Sequence, residues 1–90
     1  MGFTVYILQS LSTQRFYVGQ THNLSKRLEE HNSELAGHTK KEQPWKIIWS
    51  HEVDTRPEAL QLEKKIKKRG AGRFLEDMGR GQPGSVTLLA

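Results

Sequence analysis

The chain has 90 residues, a formal net charge of +4 at pH 7 and no cysteine. That length suits one domain with a modest core, and the missing thiols exclude disulfides and thiolate zinc sites. No apolar run reaches membrane-spanning length, so the expectation is a soluble, cytoplasmic protein whose basic balance favours an anionic partner, nucleic acid being the commonest.

Residues 3–10 (FTVYILQS) are rich in β-branched and aromatic side chains and predict a strand. LSTQ supplies a turn and residues 15–19 (RFYVG) a second strand, which makes an antiparallel hairpin. Asn23 is a good N-cap for a helix over residues 24–35, with Leu24, Leu28 and Leu35 as its apolar stripe and Gly37 as its stop. AGHTKKEQP reads as a polar loop, and WKIIWSHEV as a third strand on which Trp45, Ile47 and Trp49 share a core-facing side. Thr55 and Glu58 have capping-box spacing, with Pro57 tolerated in the first turn, so a second helix runs to Arg69 with Ala59, Leu62 and Ile66 inward. GAG breaks it, RFLEDM forms a short last helix, and residues 79–90 are expected as a flexible tail after a domain over residues 1–78. The order is ββαβαα, an α+β arrangement: a small three-stranded antiparallel sheet flanked by helices.

Several residues have an ordinary reading and a functional one. Arg27 and His31 stand four apart on one helix face, which is ordinarily a solvated face. Tyr6 and Tyr17, one on each hairpin strand, are ordinarily core aromatics with satisfied hydroxyls. Glu63 borders the inward face of the second helix, where a carboxylate needs a partner, and Lys67 at i+4 is one. The run KKIKKRGAGR is ordinarily a solvated helix face, but on a nucleic-acid enzyme it would meet phosphates. His22, His38 and His51 lack the spacing of a metal cage.

Taken in order, these signals resemble the GIY-YIG nuclease superfamily, and among its members the small stand-alone URI-like proteins related to the nuclease domain of the excision-repair incision subunit. The name-giving tripeptides stand as Thr4-Val5-Tyr6 and Tyr17-Val18-Gly19, followed by GQT, HTKK, PW and EALQLEKKIKK, so the resemblance covers residues 3–75. It implies Tyr6, Tyr17, Arg27 and His31 as catalytic residues, Glu63 as the ligand of Mg²⁺ or Mn²⁺, and Gly19 as a point where backbone approaches the site. It also implies a metal-dependent endonuclease acting on DNA, branched or damaged, in repair or recombination. Lys40, Lys41, Lys46, Lys64, Lys67 and Lys68 would then track the nucleic-acid backbone. One departure stands out: many active members have an asparagine beyond the metal-binding glutamate, and here none follows Asn32. That departure favours the alternative, a nucleic-acid-binding module on the same fold with weak or lost catalysis.

The residue types suit the chemistry in their own right. Phosphodiester hydrolysis needs an activated water, donors for the phosphoryl oxygens and relief of charge on the leaving oxygen. Arg27 offers a fork of donors that lysine matches poorly. A cation on Glu63 would act as a Lewis acid, and one protein carboxylate suffices for Mg²⁺. Two assignments of the base stay open: Tyr6 with His31 accepting its proton, or His31 itself with Tyr6 orienting the water. A free phenol, with pKa about 10, is seldom ionised at neutral pH, though nearby positive charge favours the phenolate. Tyr17 is expected to position water or phosphate. Cleavage specificity and oligomeric state are not encoded in any motif of the chain.

Overall fold

The computed structural model of the protein describes residues 2–33 and 37–80. It contains β1 (Phe3–Ser10), β2 (Phe16–Thr21), α1 (Leu24–His31), a 3-10 helix (Gly37–Glu42), β3 (Trp45–Val53), α2 (Arg56–Arg69) and α3 (Ala71–Arg80). The sheet order is β2-β1-β3, with both pairings antiparallel, so β2 and β3 are edge strands. This is the expected α+β fold in the expected ββαβαα order. Among the described residues no helix is long and apolar enough to cross a membrane.

Alternation along β1 divides the core in two. Val5 and Ile7 face a cluster with Ile48, Trp49, Ala59, Ile66 and Phe74, so α2 and α3 cover that face. Tyr6 and Leu8 point the other way, to Trp45, with Tyr17, Leu24 and Leu28 packed against them, so α1 covers the second face. The two tryptophans therefore lie on opposite faces rather than sharing one. A register shift between Ile7 and Leu8 pairs Ile7 with Trp49 but Leu8 with Ile47. The extra residue, Ile48, breaks the alternation of β3, as a β-bulge does.

The first helix is shorter than its apolar spacing suggests, and hydrogen bonding gives the reason. Asn32 caps it, its N–H donating to the carbonyls of Leu28 and Glu29. The Asn32 side chain is committed elsewhere: its Nδ2 donates to the Trp45 carbonyl (2.9 Å) and its Oδ1 accepts from the Trp45 N–H (2.7 Å). Gln43 Nε2 donates to the carbonyls of His31 (2.9 Å) and Ser33 (2.6 Å), which serves the free C-terminal end of the helix. Leu35 and residues 81–90 of the expected tail lie outside the described residues. The polar stretch expected as a loop contains the 3-10 helix, entered at Gly37 with φ +70°.

The second helix follows its capping signal. Thr55 Oγ1 accepts from the Glu58 N–H and the Glu58 carboxylate accepts from the Thr55 N–H, a reciprocal capping box. Gly70 alone makes the break, with φ +93° and its N–H bonded to the Ile66 carbonyl. The last helix then starts at Ala71, earlier than expected, and runs to Arg80, taking in the first two residues expected in the tail.

Candidate active site

Tyr6 and Gly19 are direct partners in the β1–β2 ladder. The Tyr6 phenol lies across Gly19: a Cβ built on Gly19 would stand 2.6 Å from Tyr6 Oη and 2.8 Å from Tyr6 Cζ. Gly19 is thus the gap through which the buried Tyr6 ring carries its hydroxyl to the outer edge of β2. The family resemblance implies backbone approach at this glycine; its observed neighbour is the tyrosine of the partner strand.

At that edge lies a concavity of about 780 Å³ lined by Tyr6, Tyr17, Gly19, Arg27, Glu63 and Lys67, with Arg15, Phe16, Val18, Gln20 and Ala71 completing its wall. The site does not lie on one face of the sheet. Arg27 comes from α1 and Glu63 from α2, which cover opposite faces, and their side chains meet around the edge strand between them. Local signals place each one. Asn23 Oδ1 accepts from the Lys26 N–H and starts α1, which sets Arg27 one turn in. The Thr55 cap starts α2, and Ala59 and Ile66 bury its inner face, which leaves Glu63 at the border with its side chain 17% exposed.

His31 is held differently. It is buried, and its ring lies edge-on to Tyr17 at 4.5 Å between centroids, with Tyr6 at 6.4 Å and Trp45 at 6.1 Å. It stands behind the tyrosines and is not part of the concavity's wall. Tyr17 therefore joins the open site to the buried imidazole.

Electrostatics at the site are mixed. Burial, reinforced by Tyr17, pushes the Tyr6 hydroxyl up to about 12. Arg27 pulls the other way, while Glu63 and Glu30 add to the rise. In the free protein the phenol is neutral at physiological pH. Arg27 Nε is 3.6 Å from Glu30, a loose exposed pair that leaves the guanidinium available. Glu63 Oε2 is 2.7 Å from Lys67 Nζ, the helical pair expected from their spacing, and that pair sits in the concavity itself.

The donor set can be tested for a cation. Among the described residues no cluster of three or more His, Asp or Glu could enclose a metal. Glu63 is a single carboxylate facing a polar, open concavity. That suits Mg²⁺ or Mn²⁺, hard cations that keep several waters and take substrate oxygens, and does not suit a metal that needs a full protein cage. Lys67 holds the carboxylate meanwhile, and its exposed side chain can swing away. The residues fit the cation on those terms.

Of the lysines singled out in the sequence, only Lys67 lines the concavity. Lys68 borders a separate groove between α2 and α3, with Lys65, Phe74 and Met78. Lys64 is exposed on α2, about 100° around the helix from Glu63. Lys40 and Lys41 lie on the 3-10 helix, and Lys46 is exposed on β3 opposite Gln9. Sequence reasoning missed Arg15, just before β2, and Phe16, its first residue, which line the concavity, and the polar brackets Asn32 and Gln43. A cation at the first position of the expected second strand was the available signal for Arg15; Phe16 had none.

Comparison with known proteins adds the following. Residues 2–73 match the family described as the GIY-YIG catalytic domain. A UPF0213 protein of Syntrophus aciditrophicus is 39% identical over 74 residues, covering 80% of this chain and 84% of that one. The structure-specific endonuclease subunit SLX1 of Meyerozyma guilliermondii is 37% identical over 95 residues, covering 98% of this chain, which spans 31% of that longer protein. The solution structure of a UPF0213 protein from Bacillus halodurans superposes with a TM-score of 0.55 at 24% identity, covering 100% of this chain and 98% of that one, a likeness of fold.

Proposed function

The chain belongs to the GIY-YIG catalytic-domain family, and from that premise we propose that it is a divalent-metal-dependent endonuclease that hydrolyses DNA phosphodiester bonds. The observation that carries this reading is the single concavity at the β2 edge, where Tyr6, Tyr17, Arg27 and Glu63 meet from four different elements. The similarity to a structure-specific endonuclease subunit supports a branched substrate and a place in repair or recombination.

In this reading Arg27 donates to two non-bridging oxygens of the scissile phosphate and offsets the charge that grows on them. Glu63 would hold Mg²⁺ or Mn²⁺ in place of its pairing with Lys67, and the ion would supply Lewis-acid stabilisation of the leaving oxygen. Lys67, in the same concavity, would then be free to contact phosphate. Tyr6 handles the attacking water. Burial raises its hydroxyl above the usual phenol range, so it accepts the water's hydrogen bond as a neutral phenol and gives up its own proton as it takes the water's. Tyr17 orients the phosphate or the water beside it. His31, edge-on to both rings, is the sink for the displaced proton. The P–O bond to the new hydroxyl forms as the bond to the leaving oxygen breaks, and that oxygen leaves with a proton from solvent.

The test is cleavage of labelled single-stranded, duplex, flap and junction DNA with and without Mg²⁺ or Mn²⁺, for the wild type and Glu63→Gln. The wild type should cut in a metal-dependent way, and Glu63→Gln, nearly isosteric, should lose cutting while keeping its fold. Cleavage that persists in Glu63→Gln would overturn the ligand assignment. A wild type that binds these probes and never cuts them would instead support the binding-module reading, to which the missing asparagine points.

A further inference from the structure

We propose that Phe16, with Arg15 beside it, is a stacking platform for one unpaired nucleobase next to the phosphate on Arg27, so that the site prefers strands with an unpaired nucleotide at the cut. The inference deepens the nuclease reading above and rests on it. Four large apolar side chains are well exposed among the described residues: Leu11, Phe16, Leu60 and Met78. Isolated exposed apolar residues are ordinary, and Leu11 and Leu60 line no part of the site, while Met78 borders a different groove. Phe16 alone of the four lines the concavity of Tyr6, Arg27 and Glu63. It is 41% exposed and packs into neither core cluster, although Val18, two residues on and on the same face of β2, packs into one.

Its surroundings suit a base. One edge of the ring lies beside Gly72 at the start of α3, with Cε2 3.5 Å from where a Cβ would stand. Arg15 precedes it with its side chain 76% exposed, near Glu42 at 3.7 Å, and Lys67 stands in the same concavity. Cations alternating with an open aromatic ring form the pattern that binds single-stranded nucleic acid, the cations taking phosphates and the ring a base. A base inside a duplex is stacked on both faces and must be extruded before it can reach such a ring, whereas an unpaired base is already free. A concavity of about 780 Å³ has room for one nucleotide and its phosphate.

Phe16→Leu and Phe16→Trp test this, since one keeps apolar bulk without a π-face and the other keeps the face. Both should melt within a few degrees of wild type because the position is exposed. Affinity is read by fluorescence anisotropy in chelator, with a blunt duplex and the same duplex carrying a single-stranded flap. Phe16→Leu should weaken flap binding by about 5- to 100-fold, so that its preference for flap over duplex collapses, and Phe16→Trp should retain the preference. With Mg²⁺ present, the Phe16→Leu loss should appear mainly in KM. A wild type that cleaves DNA while Phe16→Leu keeps the same flap-to-duplex ratio would overturn the platform alone. A wild type that neither binds nor cleaves any probe would overturn the nuclease reading, and the platform with it.

Discussion

Adding one methyl group at Gly19 tests the centre of the site. In Gly19→Ala the new carbon would lie 2.6 Å from Tyr6 Oη, 2.8 Å from Tyr6 Cζ and 3.4 Å from Tyr17 Cε1. The nearest contact is about 0.9 Å short of the ~3.5 Å at which such atoms rest. Tyr6 cannot easily retreat: it is 2% exposed and packed with Leu8, Trp45 and Tyr17. Overpacking of this kind costs about 1–3 kcal/mol. For a domain of this size that lowers Tm by about 4–24 °C, and urea unfolding would measure the loss directly. The cause can be isolated by repeating the change in a Tyr6→Leu background, where the ring is gone. There the alanine should be neutral or stabilising by up to about 1 kcal/mol, because glycine is the poorer strand residue once space is available. The cost of Gly19→Ala should therefore change sign between the two backgrounds, a coupling read as a double-mutant cycle. An equal cost in both would refute the claim that Gly19 exists to admit the Tyr6 hydroxyl.

Three further outcomes are expected. Arg27→Ala should lower the cleavage rate by about 10²–10³ in single-turnover assays, the scale for removing a preorganised charge, with little change in Tm because the guanidinium is exposed. Tyr6 ionises later folded than unfolded, so its contribution to stability is complete below pH 10 and is lost as pH rises toward 12. Ultraviolet titration should show this tyrosine ionising above the usual phenol range, with stability falling by about 2–3 kcal/mol across that window. Asn32→Ala removes both side-chain bonds to the Trp45 main chain and should cost about 1–3 kcal/mol in chemical denaturation.

Much of the fold was legible where the signal is local. The span of β3, the capped start of α2 at Thr55 and its end at Arg69 follow from an aromatic and β-branched run, a capping box and a glycine. The end of α1 was not legible, because leucine spacing runs on past His31 while the bonds that stop the helix come from Gln43 and from the main chain of Trp45, 13 residues beyond Asn32. The bulge at Ile48 was hidden for a related reason. A strand's apolar residues show which positions are inward only while the two-residue period holds, and a single inserted residue moves Trp49 to the other face without altering composition.

The site shows the same division between spacing within an element and register between elements. That Arg27 and His31 share a helix face could be read from four residues of separation, yet the structure sends Arg27 to the concavity and His31 into the core behind Tyr17. Which tyrosine meets which glycine depends on how the hairpin closes, and the turn after Ser10 sets that: Ser10 Oγ accepts from the N–H groups of Ser12 and Thr13 and donates to the Glu42 carbonyl. This register puts Tyr6 opposite Gly19 rather than opposite Val18, whose side chain would alternate to the other face. The edge location follows from it. A tyrosine that crosses its own partner strand emerges where neither helix layer closes the sheet, so groups from both layers can reach the same point. An open edge strand invites pairing with another strand, and charged side chains beside it discourage that. Arg15, Arg27 and Lys67 border this edge. The cations proposed to meet phosphate therefore also protect the strand that carries Tyr17 and Gly19, so removing them should cost solubility as well as DNA affinity.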